Sequence, residues 1–356
     1  MKLLIQPAAG VAPLVAAIKK AKKKVDIVIF RFDRAEIEQA LKAAAERGVS
    51  VSALIAYANH GGEKSLRKLE MRLLDAGVTV SRTADDLVRY HDKLLIIDRR
   101  LLYVLSFNFT HLDIDHSRGF GLCTKKASIV AEALKLVEAD TKRTVYRAGL
   151  DTLLVSPANA RKQILALIYR ARKELLIYDP KIADVDVLKA LNDQARKGVV
   201  VRVIGSLGRA RHQLKVRALS GFRLHTRTII RDRREASVGS QSLRKAELDA
   251  RREVGLVTRD KKVVGALVNT FEADWGAKHT EERSDATPQT LKKRVKKAVA
   301  KLSPLNPLVK EAVKDVVSKK GNTGLNAKDV KETVEKAVKE AVRERVQEIL
   351  NESTEE

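Results

Sequence analysis

His91-Asp92-Lys93-Leu94-Leu95-Ile96-Ile97-Asp98, then Leu105-Ser106-Phe107-Asn108, is a pattern this chain carries twice. The second copy, 134 positions on, is His225-Thr226-Arg227-Thr228-Ile229-Ile230-Arg231-Asp232, then Gly239-Ser240-Gln241-Ser242. His225 repeats His91, Arg227 repeats Lys93, Asp232 repeats Asp98, Ser240 repeats Ser106, and Ser242 stands where Asn108 does. A single His near a Lys is ordinary surface or core. The same spacing twice marks a duplication.

The repetition extends outward. Leu3-Leu4-Ile5-Gln6-Pro7 returns 150 positions later as Leu153-Leu154-Val155-Ser156-Pro157, and Arg47-Gly48-Val49 returns as Lys197-Gly198-Val199. Val137-Glu138-Ala139-Asp140 pairs with Phe271-Glu272-Ala273-Asp274 at the shorter offset of 134. The first copy therefore carries a 16-residue insertion, placed around Gly61 to Leu73. The counterpart of Leu3 lies mid-chain, so the apolar start is a strand of the fold and not an export signal.

Within each half the periodicities alternate. A lysine-rich helix over Ala12–Lys23 precedes an apolar strand, Val25–Phe30. A helix over Arg34–Arg47 follows, ended by Gly48, then a buried strand to Ile55. Strands alternating with helices of this length predict an α/β layer fold with helices on both sheet faces. The repeat predicts two such halves packed as a pseudo-dimer around a shared cleft.

The chain has 356 residues, 44% apolar but 4% aromatic, enough aliphatic side chains for a sizeable core. That excludes a mostly disordered chain, and no apolar run approaches the roughly 20 residues of a membrane-spanning helix. The one cysteine, Cys123, reads as a core residue on a strand and points to a reducing, cytoplasmic compartment. Against 45 Asp+Glu stand 70 Lys+Arg, a formal net charge of +25. Such an excess favours nucleic acid, anionic lipid headgroups or phosphate-bearing substrates.

Strand alternation puts His91 and Lys93 on one face, and the returning strand brings Ser106 and Asn108 level with the histidine. An imidazole, an ammonium, a hydroxyl and an amide suit a phosphate: one nucleophile and several donors. Asp98 and Asp232, each between an apolar strand and a hairpin, read as turn or buried ion-pair residues. Trp275 reads as a core anchor, and His60, His111, His116, His212 and His279 as structural. No cluster has convincing metal-ligand spacing, and no cofactor is expected.

The two copies resemble the phospholipase D superfamily, whose signature is H-x-K-x4-D followed by G-S-x-N. The resemblance covers about residues 1–280 and is greatest to soluble, cardiolipin-synthase-like members. It implies two PLD-like α/β/α layered domains, residues 1–148 and 149–283, packed as a pseudo-dimer, with a mainly α-helical, basic extension over 284–356. It implies a phosphodiester hydrolase or phosphatidyltransferase in which His91 attacks phosphorus to form a phosphohistidine and His225 protonates the leaving oxygen. Lys93, Arg227, Ser106, Asn108, Ser240 and Ser242 would cradle the nonbridging oxygens.

The resemblance further implies a carboxylate 13 residues beyond the motif serine that orients the histidine. In the second copy that residue is Glu253; in the first it is Gly119, which leaves His91 without one unless Asp113 or Asp115 substitutes. Leu105, Arg227 and Ser242 depart from the signature. The implied substrate is an anionic phospholipid, with a nuclease or a degraded, phosphate-binding copy as alternatives. The expected partners are the phosphodiester, an anionic membrane met peripherally through Lys292 to Lys297, or nucleic acid. The oligomeric state stays open, with the tail a packed helix, a basic arm or a subunit contact.

Overall fold

Runs of Val, Ile and Leu make the strands of each half, and alanine-rich amphipathic stretches make its helices. In the computed structural model the first half contains β1 (Lys2–Gln6), α1 (Ala12–Lys19), β2 (Lys24–Ile29), α2 (Ala35–Glu46), β3 (Ser50–Ile55), α3 (Glu63–Leu74) and β4 (Thr79–Arg82). It continues with β5 (Arg89–Tyr90), β6 (Leu94–Ile97), β7 (Leu101–Leu105), α4 (His111–Asp115), β8 (Ser117–Thr124) and α5 (Ala127–Lys142). The second half opens with β9 (Leu153–Ser156), α6 (Ala160–Tyr169), β10 (Glu174–Ile182), α7 (Val185–Arg196), β11 (Val200–Leu207) and β12 (Lys215–Arg217). Then come β13 (Arg223–Leu224), β14 (Arg227–Arg231), β15 (Glu235–Gly239), α8 (Lys245–Asp249), β16 (Arg251–Thr258) and α9 (Lys261–Gly276). The structure describes residues 1–57, 63–208 and 214–277. The expected extension over 284–356, with Lys292 to Lys297, lies outside them, as do His60, His212 and His279.

Element for element the second half repeats the first, except that α3 has no counterpart among the described residues. The ladders locate the insertion. Ser52 faces Thr79, 27 positions on, whereas Arg202 faces Lys215, 13 positions on. So 14 of the 16 extra residues lie between β3 and β4, around α3, and two lie between β4 and β5.

The first helix is shorter than expected, ending at Lys19. The reason is Asp98, whose carboxylate accepts the backbone N–H groups of Lys22, Lys23 and Lys24 at 3.1, 2.7 and 3.0 Å. Those amides are unavailable to a continuing helix. Asp232 does the same for Arg172, Lys173 and Glu174. Both aspartates sit in tight hairpin turns with positive φ at two successive residues, Asp98-Arg99 and Asp232-Arg233. They hold the turn against the start of the neighbouring strand, away from the histidines.

Each half builds a mixed sheet, and each lends a strand to the other. The first is ordered β1-β8-β7-β6-β2-β3-β4 with β13 of the second half added to β8. The second is ordered β12-β11-β10-β14-β15-β16-β5, so β5 of the first half lies beside β16, which also pairs β9. The exchanged strands run directly into His91 and His225.

Helices α1, α2 and α3 cover the outer face of the first sheet, and α6 and α7 that of the second. The inner faces, with α5 and α9, share one core between the halves. At its centre Tyr178 meets Phe120 and Phe271 edge-on, with ring centroids 5.4 and 5.1 Å away. Burying each ring stabilises the assembly by roughly 1.5–3 kcal/mol. Trp275 stacks on Phe271 at the edge of this core. No helix among the described residues is long and apolar enough to cross a membrane.

Candidate active site

Residues 91–93 are an extended connector between β5 and β6, not part of the strand that the alternation predicts. Their position is set from the opposite half. The His91 backbone N–H donates to the Arg252 carbonyl at 2.8 Å, and that of His225 donates to the Arg118 carbonyl at 3.1 Å. Arg118 and Arg252 are themselves repeat partners. Arg252 grips Asp140 with two bonds of 3.0 and 2.9 Å, and Arg118 grips Asp274 with two of 2.9 Å. Each bidentate pair joins the two halves, which accounts for the repeated Ala-Asp pair seen in the sequence.

The orienting carboxylates cross over as well. His91 Nδ1 lies 2.9 Å from Glu253 Oε2, and His225 Nε2 lies 3.0 Å from Asp113 Oδ2. Glu253 therefore serves the histidine of the other half, so His91 does have an orienter. Asp113, from α4, meets His225 and not His91. Asp115 contacts Arg34 and His111 instead. A side chain at Gly119 would strike Phe107, whose Cδ1 is 2.9 Å from a Cβ placed there, so no carboxylate fits at that position.

The rest of the predicted set converges unevenly. Lys93 is 1% exposed, donates to the His91 carbonyl at 2.6 Å, and lies 5.5 Å from the Phe30 ring centre. Phe30 also stands edge-on to the His91 ring, with centroids 4.5 Å apart. Arg227 Nη1 donates to the His225 carbonyl at 2.9 Å and lies 3.4 Å from His225 Nδ1. Its Nε is buried without a partner. The hydroxyls of Ser106 and Ser240 accept the backbone N–H groups of Phe120 and Val254 at 2.9 and 3.1 Å, pinning β8 and β16.

Asn108 and Ser242 are engaged elsewhere. The Asn108 amide nitrogen donates to Asp113 at 2.7 Å, and the Ser242 hydroxyl donates to Asp179 at 2.8 Å. Asp179 is fully buried and faces Arg227 electrostatically, where the first half has the apolar Ile29. The sequence reading missed it, although a carboxylate closing the apolar run Leu175-Leu176-Ile177-Tyr178 was a visible break in the repeat. It also missed Arg89 and Arg223, which recur two residues before each histidine. Arg223 forms an ion pair with Asp113, and Arg89 lies 5.3 Å from the Phe30 ring centre.

Leu105, in place of the signature glycine, keeps that residue's ladder position: it faces Gly121 as Gly239 faces Gly255. In the second half the Gln241 amide fills the space over those two glycines; in the first, Leu105 and Phe107 fill it.

Burial and surrounding cations set the charge states. Burial, then Lys93 and Arg227, holds His91 well below its ordinary pKa. Burial brings His225 down to about 3, with Asp113 opposing and Arg227 reinforcing. Burial likewise brings Lys93 down to about 7, with Glu253 opposing, and pushes Glu253 up to about 8, with Lys93 opposing. Asp113 is held far below the usual carboxylate range, since His225 and Arg223 outweigh its burial. The cleft thus holds two neutral imidazoles beside the Arg227 guanidinium and an amine, Lys93, that titrates near neutrality, an environment in which a bound anion favours the charged lysine.

The protein-family model described as "Cardiolipin synthase, PLD-like domain" matches residues 14–141 and again 164–275. No curated protein matches the chain in sequence. Among solved structures, polyphosphate kinase from Porphyromonas gingivalis superposes with a TM-score of 0.66 at 20% identity, over 83% of this chain and 55% of the kinase. The chain thus spans about half of that kinase's length. Phosphatidylserine synthase from Haemophilus influenzae Rd KW20 superposes with a TM-score of 0.60 at 13% identity, over 85% of this chain and 94% of the synthase. At these identities the likeness is one of fold.

Proposed function

From the premise that this chain belongs to the PLD-like family of the cardiolipin-synthase type, which it matches twice over, we propose that it hydrolyses or transfers phosphodiesters through a phosphohistidine. The observation that carries this is the placement of a carboxylate from the opposite half against each histidine, Glu253 bonded to His91 Nδ1 and Asp113 at ion-pair distance from His225 Nε2. With Nδ1–H donated to Glu253, His91 presents the Nε2 lone pair to phosphorus. The N–P bond forms as the P–O bond to the leaving group breaks, and His225 delivers a proton to the departing oxygen. Water or an alcohol, deprotonated by His225, then attacks phosphorus and releases His91.

Before substrate arrives His225 is neutral. A phosphodiester anion in the cleft offsets Arg227 and Lys93 and raises its proton affinity, the direction that the acid's role requires. Lys93 and the unpartnered Arg227 Nε supply donors to the nonbridging oxygens.

The substrate we assign is an anionic phospholipid. Exposed apolar side chains stand at the same end of the sheets as the histidines. Val88 and Phe222, at 65% and 38% exposure, each precede a histidine by three residues, and Leu112 beside Asp113 is 51% exposed. An amphiphile presents its headgroup to a cleft with such a rim. Such an enzyme works in a reducing compartment, at the membrane periphery. Incubation with phosphatidylglycerol, and with single- and double-stranded DNA in parallel, tests the class: lipid turnover with an acid-labile phosphohistidine is expected. His91→Asn and His225→Asn each lower turnover by about a hundredfold or more, with a double variant no worse than the weaker single. Cleavage of DNA alone assigns the site to nucleic acid, and no intermediate on either histidine refutes the mechanism.

A further inference from the structure

At the opposite end of the second sheet lies a concave groove of about 700 Å³. Six cations line it: Lys173, Arg202, Lys215, Arg217, Arg233 and Arg234. Arg202 and Arg233 are neutralised by Glu174 and Glu272. Asp232 is spent on backbone amides. Among the described residues Lys173, Lys215, Arg217 and Arg234 have no carboxylate at ion-pair distance. Trp275 forms part of the wall, with the Arg217 guanidinium 4.7 Å from its ring centre.

The duplication supplies an internal control. The ladders equate Lys215 and Arg217 with Thr79 and Ser81, and the repeat equates Arg202 with Ser52 and Trp275 with Thr141. The matching groove of the first half is lined by those four hydroxyl residues; its cations are Lys24 and Lys142, paired with Asp26 and Glu138, and Arg99, the counterpart of Arg233. Lys173 and Arg234 recur as Lys23 and Arg100, so it is Lys215 and Arg217, with Arg202 and Trp275, that are particular to one groove of the two.

We propose that this groove binds the sugar–phosphate backbone of a nucleic acid strand, at a site separate from the histidines. The separation is about 20 Å, the length of β14 and its turn between His225 and Asp232. The cations span β12, β11, β10 and the β14–β15 turn, roughly 14 Å at the spacing of paired strands, which meets several phosphates in a row and not a single ion. The recess faces away from the apolar rim, and a flat lipid leaflet does not enter a concavity. Arginine stacked on an aromatic wall in a basic groove is a combination suited to single strands. Strand binding here goes beyond the catalytic reading and stands whether or not the bound strand is ever cut.

Trp275 is the chain's only tryptophan, so its fluorescence reports directly on the groove. Full-length protein titrated with a 20-nucleotide DNA strand is expected to bind with a concurrent change in Trp275 emission. Lys215→Thr with Arg217→Ser, which recreates the first-half residues, should weaken binding about tenfold. It should also flatten the slope of log K against log salt by about 1.4, as two phosphates go without their cations. A control, Lys125→Thr with Lys126→Ser, removes equal charge from an exposed site in the first half and is expected to change binding far less. The proposal is overturned by saturation without a change in Trp275 emission or by equal loss in the two double variants. Loss of binding to anionic vesicles with oligonucleotide binding intact also overturns it. The readout is binding, so an inactive histidine pair leaves the result unchanged.

Discussion

Lys93 and Glu253 come from opposite halves, and burial draws both toward neutrality, to about 7 and about 8. If the phosphate needs a charged Lys93, that requirement is lost as pH rises through about 7. If His91 needs an ionised Glu253, that requirement is met only as pH rises through about 8. The free enzyme therefore has both charges in a minority of molecules, and kcat/KM should show a narrow optimum between about 7 and 8. A bound phosphodiester anion raises the Lys93 pKa, so the kcat profile should extend further to the alkaline side. Initial rates across about pH 5–9 check this, and a flat kcat/KM would show that neither group titrates in the reaction. His91, Lys93, His225 and Arg227 were legible because duplication marks them. The partner of each histidine was not, because a carboxylate's reach across a domain interface leaves no spacing in the chain.

The hairpins and exchanged strands act as elements. In the second half β15 and β16 approach so closely at Gly239 that a Cβ there would lie 2.4 Å from the Gly255 Cα and 2.7 Å from the Val254 carbonyl oxygen. Both are backbone atoms, and neither can rotate away. Gly239→Ala should cost about 1–3 kcal/mol and lower Tm by several degrees. Gly265→Ala, in α9 with open space around its Cβ position, should instead raise Tm, because alanine favours helix over glycine by about 1 kcal/mol. Thermal melts of the two variants check the contrast; equal shifts would mean that the close approach relaxes freely. The helices and long strands were readable from periodicity. The two-residue strands β5 and β13 were not, since they exist only as additions to the other half's sheet.

At the largest scale, the two halves are joined by two clamps, Arg118 on Asp274 and Arg252 on Asp140. Asp274 also accepts a 2.7 Å bond from the Tyr178 hydroxyl at the centre of the shared core. Asp274→Asn leaves a largely buried guanidinium without its counter-charge and should cost about 3–5 kcal/mol. The Arg118 carbonyl holds the His225 backbone, so residual activity should fall below that expected from the folded fraction. Denaturant melts with turnover measured on the folded protein check both parts. Full turnover in a destabilised variant would separate the clamp from the site.

Sequence alone determined the duplication, the alternating α/β elements, the insertion and the four motif cations and imidazoles, because each is written as local period or fixed offset. Physical periodicity survives in a string of letters. Tertiary structure alone decided which carboxylate faces which histidine, that Asn108 and Ser242 are held by Asp113 and Asp179, and that Lys215 and Arg217 line a groove where its twin has Thr79 and Ser81. Those outcomes depend on which strand of one half lies against which strand of the other, a relation between distant residues that hydrogen bonding and packing settle only once the sheets close.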